Sequence, residues 1–135
     1  MEQKLELRVE SRELRAKERK MQDYRKLEIW QRGMDYTVKL YKFSSTLPSE
    51  EKYGLISQLR RAAYSIPLNI AEGAGCESKK EFKLFLEYAH RSVHEILTIL
   101  ELCIRLHLCD KVVINNLIEE GREIRAMIYS FMKKL

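Results

Sequence analysis

The chain has 135 residues, 45% of them hydrophobic and 33% charged, which suits one domain with a core of its own. No run of about 18 apolar residues occurs, so a membrane-spanning helix is excluded; five Gly and two Pro are few for a turn-rich chain and point to an all-α class. Net charge is +5, from 25 Lys and Arg against 20 Asp and Glu, an excess that permits moderate, salt-sensitive attraction to nucleic acid and equally fits a charged surface that keeps the chain in solution.

The first twenty residues, MEQKLELRVESRELRAKERK, alternate acids and bases at helical spacing, a pattern for a helix laced by ion pairs. They lack the apolar stretch of a signal peptide, so the expected location is cytoplasmic. Leu5, Leu7, Val9 and Leu14 are too few to anchor a core. Residues 1–23 are therefore expected to be a charged arm, helical or disordered, and residues 24–135 the folded domain. The arm carries seven basic and six acidic groups, whereas residues 24–47 carry five and two. The basic excess thus centres on the first bundle helix.

That helix starts near Tyr24 and ends at Leu47-Pro48-Ser49. Leu27, Trp30, Met34, Val38 and Tyr41 share one face; Ile29, Tyr36, Leu40 and Phe43 make a second. A helix with two apolar sides covers a core with one and something else with the other. It is either sunk deep in its own bundle or in contact with another subunit. Ser49 is the expected N-cap of the second helix, with Glu50 and Glu51 at the positive end of its dipole. Leu59, Ala62, Ala63, Ile66 and Ile70 form the apolar face of that helix. Ser57, Arg61, Ser65 and Asn69 form a polar stripe beside it, and Pro67 should bend the helix. Gly73-Ala74-Gly75 stops it.

The third helix opens at Ser78 with the capping box Ser78-Lys79-Lys80-Glu81. Phe82, Phe85, Leu86, Ala89, Val93, Ile96, Leu97, Leu100 and Ile104 hold one face for roughly 40 Å. Asp110 caps the fourth helix, whose face is Val113, Leu117, Ile118, Ile124, Ile128, Phe131 and Leu135. Four long amphipathic helices with short links predict an antiparallel, up-down four-helix bundle with a charged N-terminal extension.

Catalytic and metal motifs are sparse. His90 and His94 stand at i, i+4 with Glu87 one turn earlier, a spacing that can hold a metal. Arg91 follows His90 where a zinc protease has its Glu base, so surface histidines are the better reading and no metal or cofactor is expected. Cys76 lies before a helix N-terminus but has no assignable base. Cys103 and Cys109 read as core fillers, and three widely spaced cysteines fit reduced thiols better than a disulfide frame. Arg61, Ser65, Asn69, Glu72, Ser92 and Glu95 read as a polar network between helices, because such groups are buried only when paired. The rival reading sends Arg60 and Arg61 to phosphates. Lys39, Lys42, Lys79, Lys80 and Lys83, with Arg60, are the candidate RNA-binding residues.

Several motifs carry a resemblance. They are Tyr24-Arg25-Lys26-Leu27 with Ile29-Trp30-Gln31, Tyr53-Gly54-Leu55, Gln58-Leu59-Arg60-Arg61-Ala62-Ala63, Ser65-Ile66-Pro67 and Asn69-Ile70-Ala71-Glu72-Gly73. Together with Ser78, Glu81-Phe82, Phe85-Leu86, Ser92 and Glu95, the chain from Tyr24 onward resembles the 23S rRNA intervening-sequence protein family. The resemblance implies a bacterial four-helix bundle, often encoded within inserts in large-subunit rRNA genes. The chain is also similar to accessory proteins of diversity-generating retroelements. These are homopentameric barrels that bind nucleic acid and a reverse transcriptase through basic surfaces. Arg91 stands where the family usually has Gly, and Cys76 where it usually has a basic residue. The family pattern begins near Met21, so residues 1–20 are expected to be an extension or an upstream start.

The resulting expectation is a non-enzymatic, homo-oligomeric bundle, pentameric by resemblance, that binds RNA or a ribonucleoprotein through a basic surface. The alternative is a protein-interaction module for a reverse transcriptase or ribosomal factor. A third, an enzyme using His90, His94 and Glu87, predicts bound metal.

Overall fold

Apolar residues spaced three and four apart wind the chain into five α-helices: α1 (Glu2–Gln22), α2 (Glu28–Ser44), α3 (Leu55–Ala74), α4 (Lys79–Arg105) and α5 (Lys111–Lys134). Turns of 3-10 helix lie at Asp23–Lys26 and Ser49–Glu51. This computed structural model describes the backbone of residues 2–135 and the side chains of residues 2–14 and 24–135. Among the described residues there is no strand. The expected start near Met21 falls on a side chain outside those described. Leu5, Leu7, Val9 and Leu14 of α1 are exposed. No ion pair forms among the side chains of residues 2–14; the rest of the expected lacing lies outside the described side chains.

The bundle is α2 on α3, α3 on α4, α4 on α5, and α5 back on α2. Partners across each seam run in opposite chain directions. Thr37 meets Ala63 and Ser44 meets Arg60. Ser65 meets Ser92, and Gly73 lies against Phe82. Leu97 lies against Gly121, and Phe82 meets Phe131. Arg32 pairs with Glu123, and Lys39 with Glu120. Each neighbouring pair is therefore antiparallel, the arrangement short links favour.

The predicted face of α3 is the centre of the core: Leu59, Ala62, Ala63, Ile66 and Ile70 are all buried. Pro67 sits buried inside this helix. Having no N–H, it leaves the Ala63 carbonyl without its usual i+4 donor. Thr37 of α2 stands in: its Oγ1 lies 3.0 Å from the Ala63 oxygen and 2.7 Å from the Gly33 oxygen, so one proton is shared between two acceptors. Gly33 makes this approach possible, since a Cβ there would meet Ile66 at 3.1 Å.

One open choice is decided and two expectations are corrected. On α2 the core side is Ile29, Tyr36, Leu40 and Phe43, with Gly33; Met34, Val38 and Tyr41 are 40%, 51% and 38% exposed. Ser49 does not cap α3. It lies in a 3-10 turn, and Gly54, at φ −108° and ψ −108°, separates that turn from Leu55. The Leu55 N–H is taken by Glu51 Oε2 at 3.3 Å. On α5, Ile114 is buried where Val113 was expected, and Val113 is exposed. The Asp110 cap is as read, its Oδ1 accepting from Val112 N at 2.8 Å; at Ser78 the serine half of the capping box forms, Oγ accepting from Glu81 N at 3.1 Å.

Candidate functional site

The α3–α4 seam is narrow because its inward polar groups are small. Ser65 Oγ lies within hydrogen-bond distance of Ser92 Oγ and 2.7 Å from the Ala62 oxygen. Ser92 donates to Tyr88 O at 3.0 Å, which leaves its oxygen free to accept from Ser65. Asn69 Nδ2 donates to Ser65 O at 2.7 Å. The charged members behave differently. Arg61 pairs with Glu95 at 3.7 Å and donates to Gln58 at 3.0 Å, and both ends of the ion pair are exposed. Glu72 is exposed and joins none of these groups. The residues read as one network thus divide into a half-buried serine seam and a surface ion pair.

That division has an energetic consequence. A half-buried neutral hydrogen bond contributes about 1 kcal/mol, whereas an exposed ion pair contributes about 0–1 kcal/mol. Ser65→Ala is expected to lower stability by about 1 kcal/mol. Arg61→Gln should change it by no more than about 0.5 kcal/mol. Urea unfolding of the two variants checks the order; equal costs would contradict it.

The six basic candidates lie at opposite ends of the bundle. Lys42 is in the last turn of α2, and Arg60 beside it is near the start of α3. Lys79, Lys80 and Lys83 open α4, which packs on the far end of α3 at Gly73. Two of the first group have internal partners. Lys39 pairs with Glu120 at 3.0 Å. Arg60 donates to Ser44 Oγ at 2.8 Å and Ser45 Oγ at 3.2 Å, with its guanidinium 5.1 Å from the Tyr41 ring centre. Lys79, Lys80 and Lys83 are exposed and have no carboxylate partner among the described residues.

The sequence reading missed cations that the topology adds to this second group. Lys133 and Lys134 end α5, and Arg25 and Lys26 end the turn before α2. Antiparallel helices return both elements to the end where α4 begins, as the edge-on contact of Phe82 with Phe131 at 5.6 Å shows. The signal was available in the heptad-long apolar faces, which fix where α5 finishes.

The metal reading finds no support in the geometry. The His90 and His94 rings lie edge-on with centres 4.9 Å apart, while Glu87 pairs with Arg91 at 3.0 Å. Among the described residues, no three His, Cys, Asp or Glu side chains converge as metal ligands. Cys103 and Cys109 are free thiols. Burial, then Cys109 and Glu51, push the Cys103 thiol up to about 11, which makes it a packing group rather than a nucleophile.

Bundle, serine seam and cationic end together define a small helical-bundle protein with an outward-facing basic end. Residues 25–130 match the family described as 23S rRNA-intervening sequence protein, and the chain belongs to that family. A similar solved structure is the 1.70 Å crystal structure of a protein of unknown function from the S23 ribosomal protein family of Bacteroides thetaiotaomicron. It is 24% identical, covers 78% of this chain and 98% of its own, and superposes with a TM-score of 0.73. At that identity the likeness speaks for the fold. No curated protein matches the chain. Among the described residues, no helix is long and apolar enough to cross a membrane.

Proposed function

We propose that this protein is a non-enzymatic, cytoplasmic bundle that assembles with copies of itself and holds RNA by its phosphates. The observation that carries the reading is the cationic end. Lys79, Lys80 and Lys83 have no carboxylate partner there among the described residues, and Arg25, Lys26, Lys133 and Lys134 lie on elements that finish at the same end. Lysines act as flexible point charges, so they favour phosphate contact over base readout. Lys42 is exposed at the other end, while Lys39 and Arg60 are engaged within the fold and contribute less.

Assembly has its own support. Met34, Val38 and Tyr41 on α2 and Tyr64 and Leu68 on α3 are exposed. The two rows are neighbours, because Thr37 touches Ala63 and Arg60 covers Tyr41. Exposed apolar strips of this kind mark protein contacts. A pentamer is the state the family resemblance implies, and light scattering checks it. A monomeric wild type would overturn the assembly reading.

The RNA reading is tested by filter binding to a single-stranded RNA at two salt concentrations. Each neutralised phosphate adds about 0.7 to the salt slope. Combined charge reversal of Lys79, Lys80 and Lys83 should weaken binding at least about tenfold and flatten that slope. Lys39→Gln should leave binding near wild type. No binding at low salt, or binding indifferent to salt, would overturn the reading. The exposed α2–α3 strip also supports a second reading, a protein partner such as a reverse transcriptase or ribosomal factor. Retention of such a partner after nuclease treatment would favour it.

A further inference from the structure

Away from the lysine end, α4 and α5 form an open cleft of about 470 Å3. Arg105 and His94 of α4 and Arg122 and Arg125 of α5 line it, over an apolar floor that includes Leu97 and Ile118. Glu101 is the one acid in the lining. Arg122 is held from the flank by Glu119 at 2.7 Å. Arg105 and Arg125 have no carboxylate partner among the described residues. Arg125 is also half-buried.

Three guanidinium groups around an apolar hollow focus a positive field into it. Their planar forks match the oxygens of a phosphate better than an ammonium would. The volume falls in the range of small-molecule sites and far exceeds that of a bare anion. The floor further calls for a ligand with a flat or apolar portion. A nucleoside phosphate has both parts. We propose that the α4–α5 cleft binds a nucleoside phosphate, with the phosphate on Arg105, Arg122 and Arg125 and the base on Leu97 and Ile118. None of the lysines of the cationic end lines this cleft, so the inference stands or falls apart from the RNA surface.

The two histidines of α4 give a reporter. Burial, then His94 and Arg125, hold the His90 imidazole below its usual value, with Glu87 pulling the other way. Arg91 pairs with Glu87, and the Tyr129 ring of α5 faces His90 with centres 6.2 Å apart. An anion seated at Arg125 offsets the repulsion and raises the His90 midpoint.

The test is proton NMR of the histidine C2–H signals while AMP is added at constant ionic strength. Inorganic phosphate and a short oligoadenylate serve as parallel probes. AMP should move the His94 signal, raise the His90 midpoint, and bind at least about tenfold more tightly than phosphate. Arg125→Gln should weaken AMP at least about tenfold. Arg105→Gln, an exposed change in the last turn of α4, should weaken it too and serves if the first variant folds poorly. The oligoadenylate binding more tightly than AMP assigns the site to a nucleotide within RNA; the reverse assigns it to a free nucleotide. No response to AMP or oligoadenylate, an equal response to AMP and phosphate, or undiminished binding by a folded variant overturns the proposal.

Discussion

Gly73→Ala is expected to destabilise the protein by about 3 kcal/mol, the upper part of the usual range for overpacking a core. The change looks favourable by propensity alone, because Ala in a helix gains about 1 kcal/mol over Gly. Packing reverses the sign. A Cβ at Gly73 would stand 2.6 Å from Phe82 Cδ2 and 2.9 Å from Phe85 Cβ. The Phe82 ring can turn, at the expense of its edge-on contact with Phe131. The Phe85 Cβ is fixed to the α4 backbone, so α3 and α4 must move apart. Urea unfolding measures the outcome, and a variant as stable as wild type would refute this account of the α3–α4 junction.

Gly121→Ala should cost about 2 kcal/mol for a related but separable reason. Its Cβ would lie 2.5 Å from Tyr36 Oη and 3.0 Å from Leu97 Cδ2. Tyr36 is fully buried, and its hydroxyl donates to Leu117 O at 2.8 Å. The bare Cα of Gly121 is what admits that hydroxyl to the carbonyl one turn earlier on α5. Tyr36→Phe removes the hydrogen bond, for about 1 kcal/mol, and also vacates the space. The two changes together should therefore cost at least about 1 kcal/mol less than their sum. Additive costs would mean that the glycine serves some other contact. The phenol also makes a pH signature. Burial, and then Glu120, raise the Tyr36 pKa well above the ordinary tyrosine value. A raised folded-state pKa stabilises the fold only below the unfolded value, so stability should fall as pH rises past about 10. Tyr36→Phe should blunt that fall.

Helices whose apolar residues lie on one side were legible in the sequence. The α3 face and the Ser78 and Asp110 caps needed only local spacing. The α2 helix resisted because both its faces are apolar, and what selects the inner one is Gly33 against Ile66 and Tyr36 against Gly121, partners on other helices. Val113 and Ile114 differ by one position in the first turn of α5, where few flanking residues fix the phase. The α3 start was misplaced because Ser49 and its following acids imitate a cap, while Gly54 interrupts the run. For the candidate site, local pattern picked out the serines of the seam and the lysines that open α4. It did not separate Lys39 and Arg60 from them, since Glu120 is 81 residues from Lys39 and Ser44 is 16 from Arg60. Nor did it unite Lys79 with Lys133, a proximity that only the return of α5 creates.

The threonine that answers Pro67 means that α3 is incomplete as an independent rod. Cut away from α2, it would leave one main-chain acceptor looking to water for its proton. The smallest piece that satisfies the main chain around Pro67 is accordingly the α2–α3 hairpin. Docking and closure of the hydrogen-bond inventory become one event, which ties the two helices into a single cooperative unit.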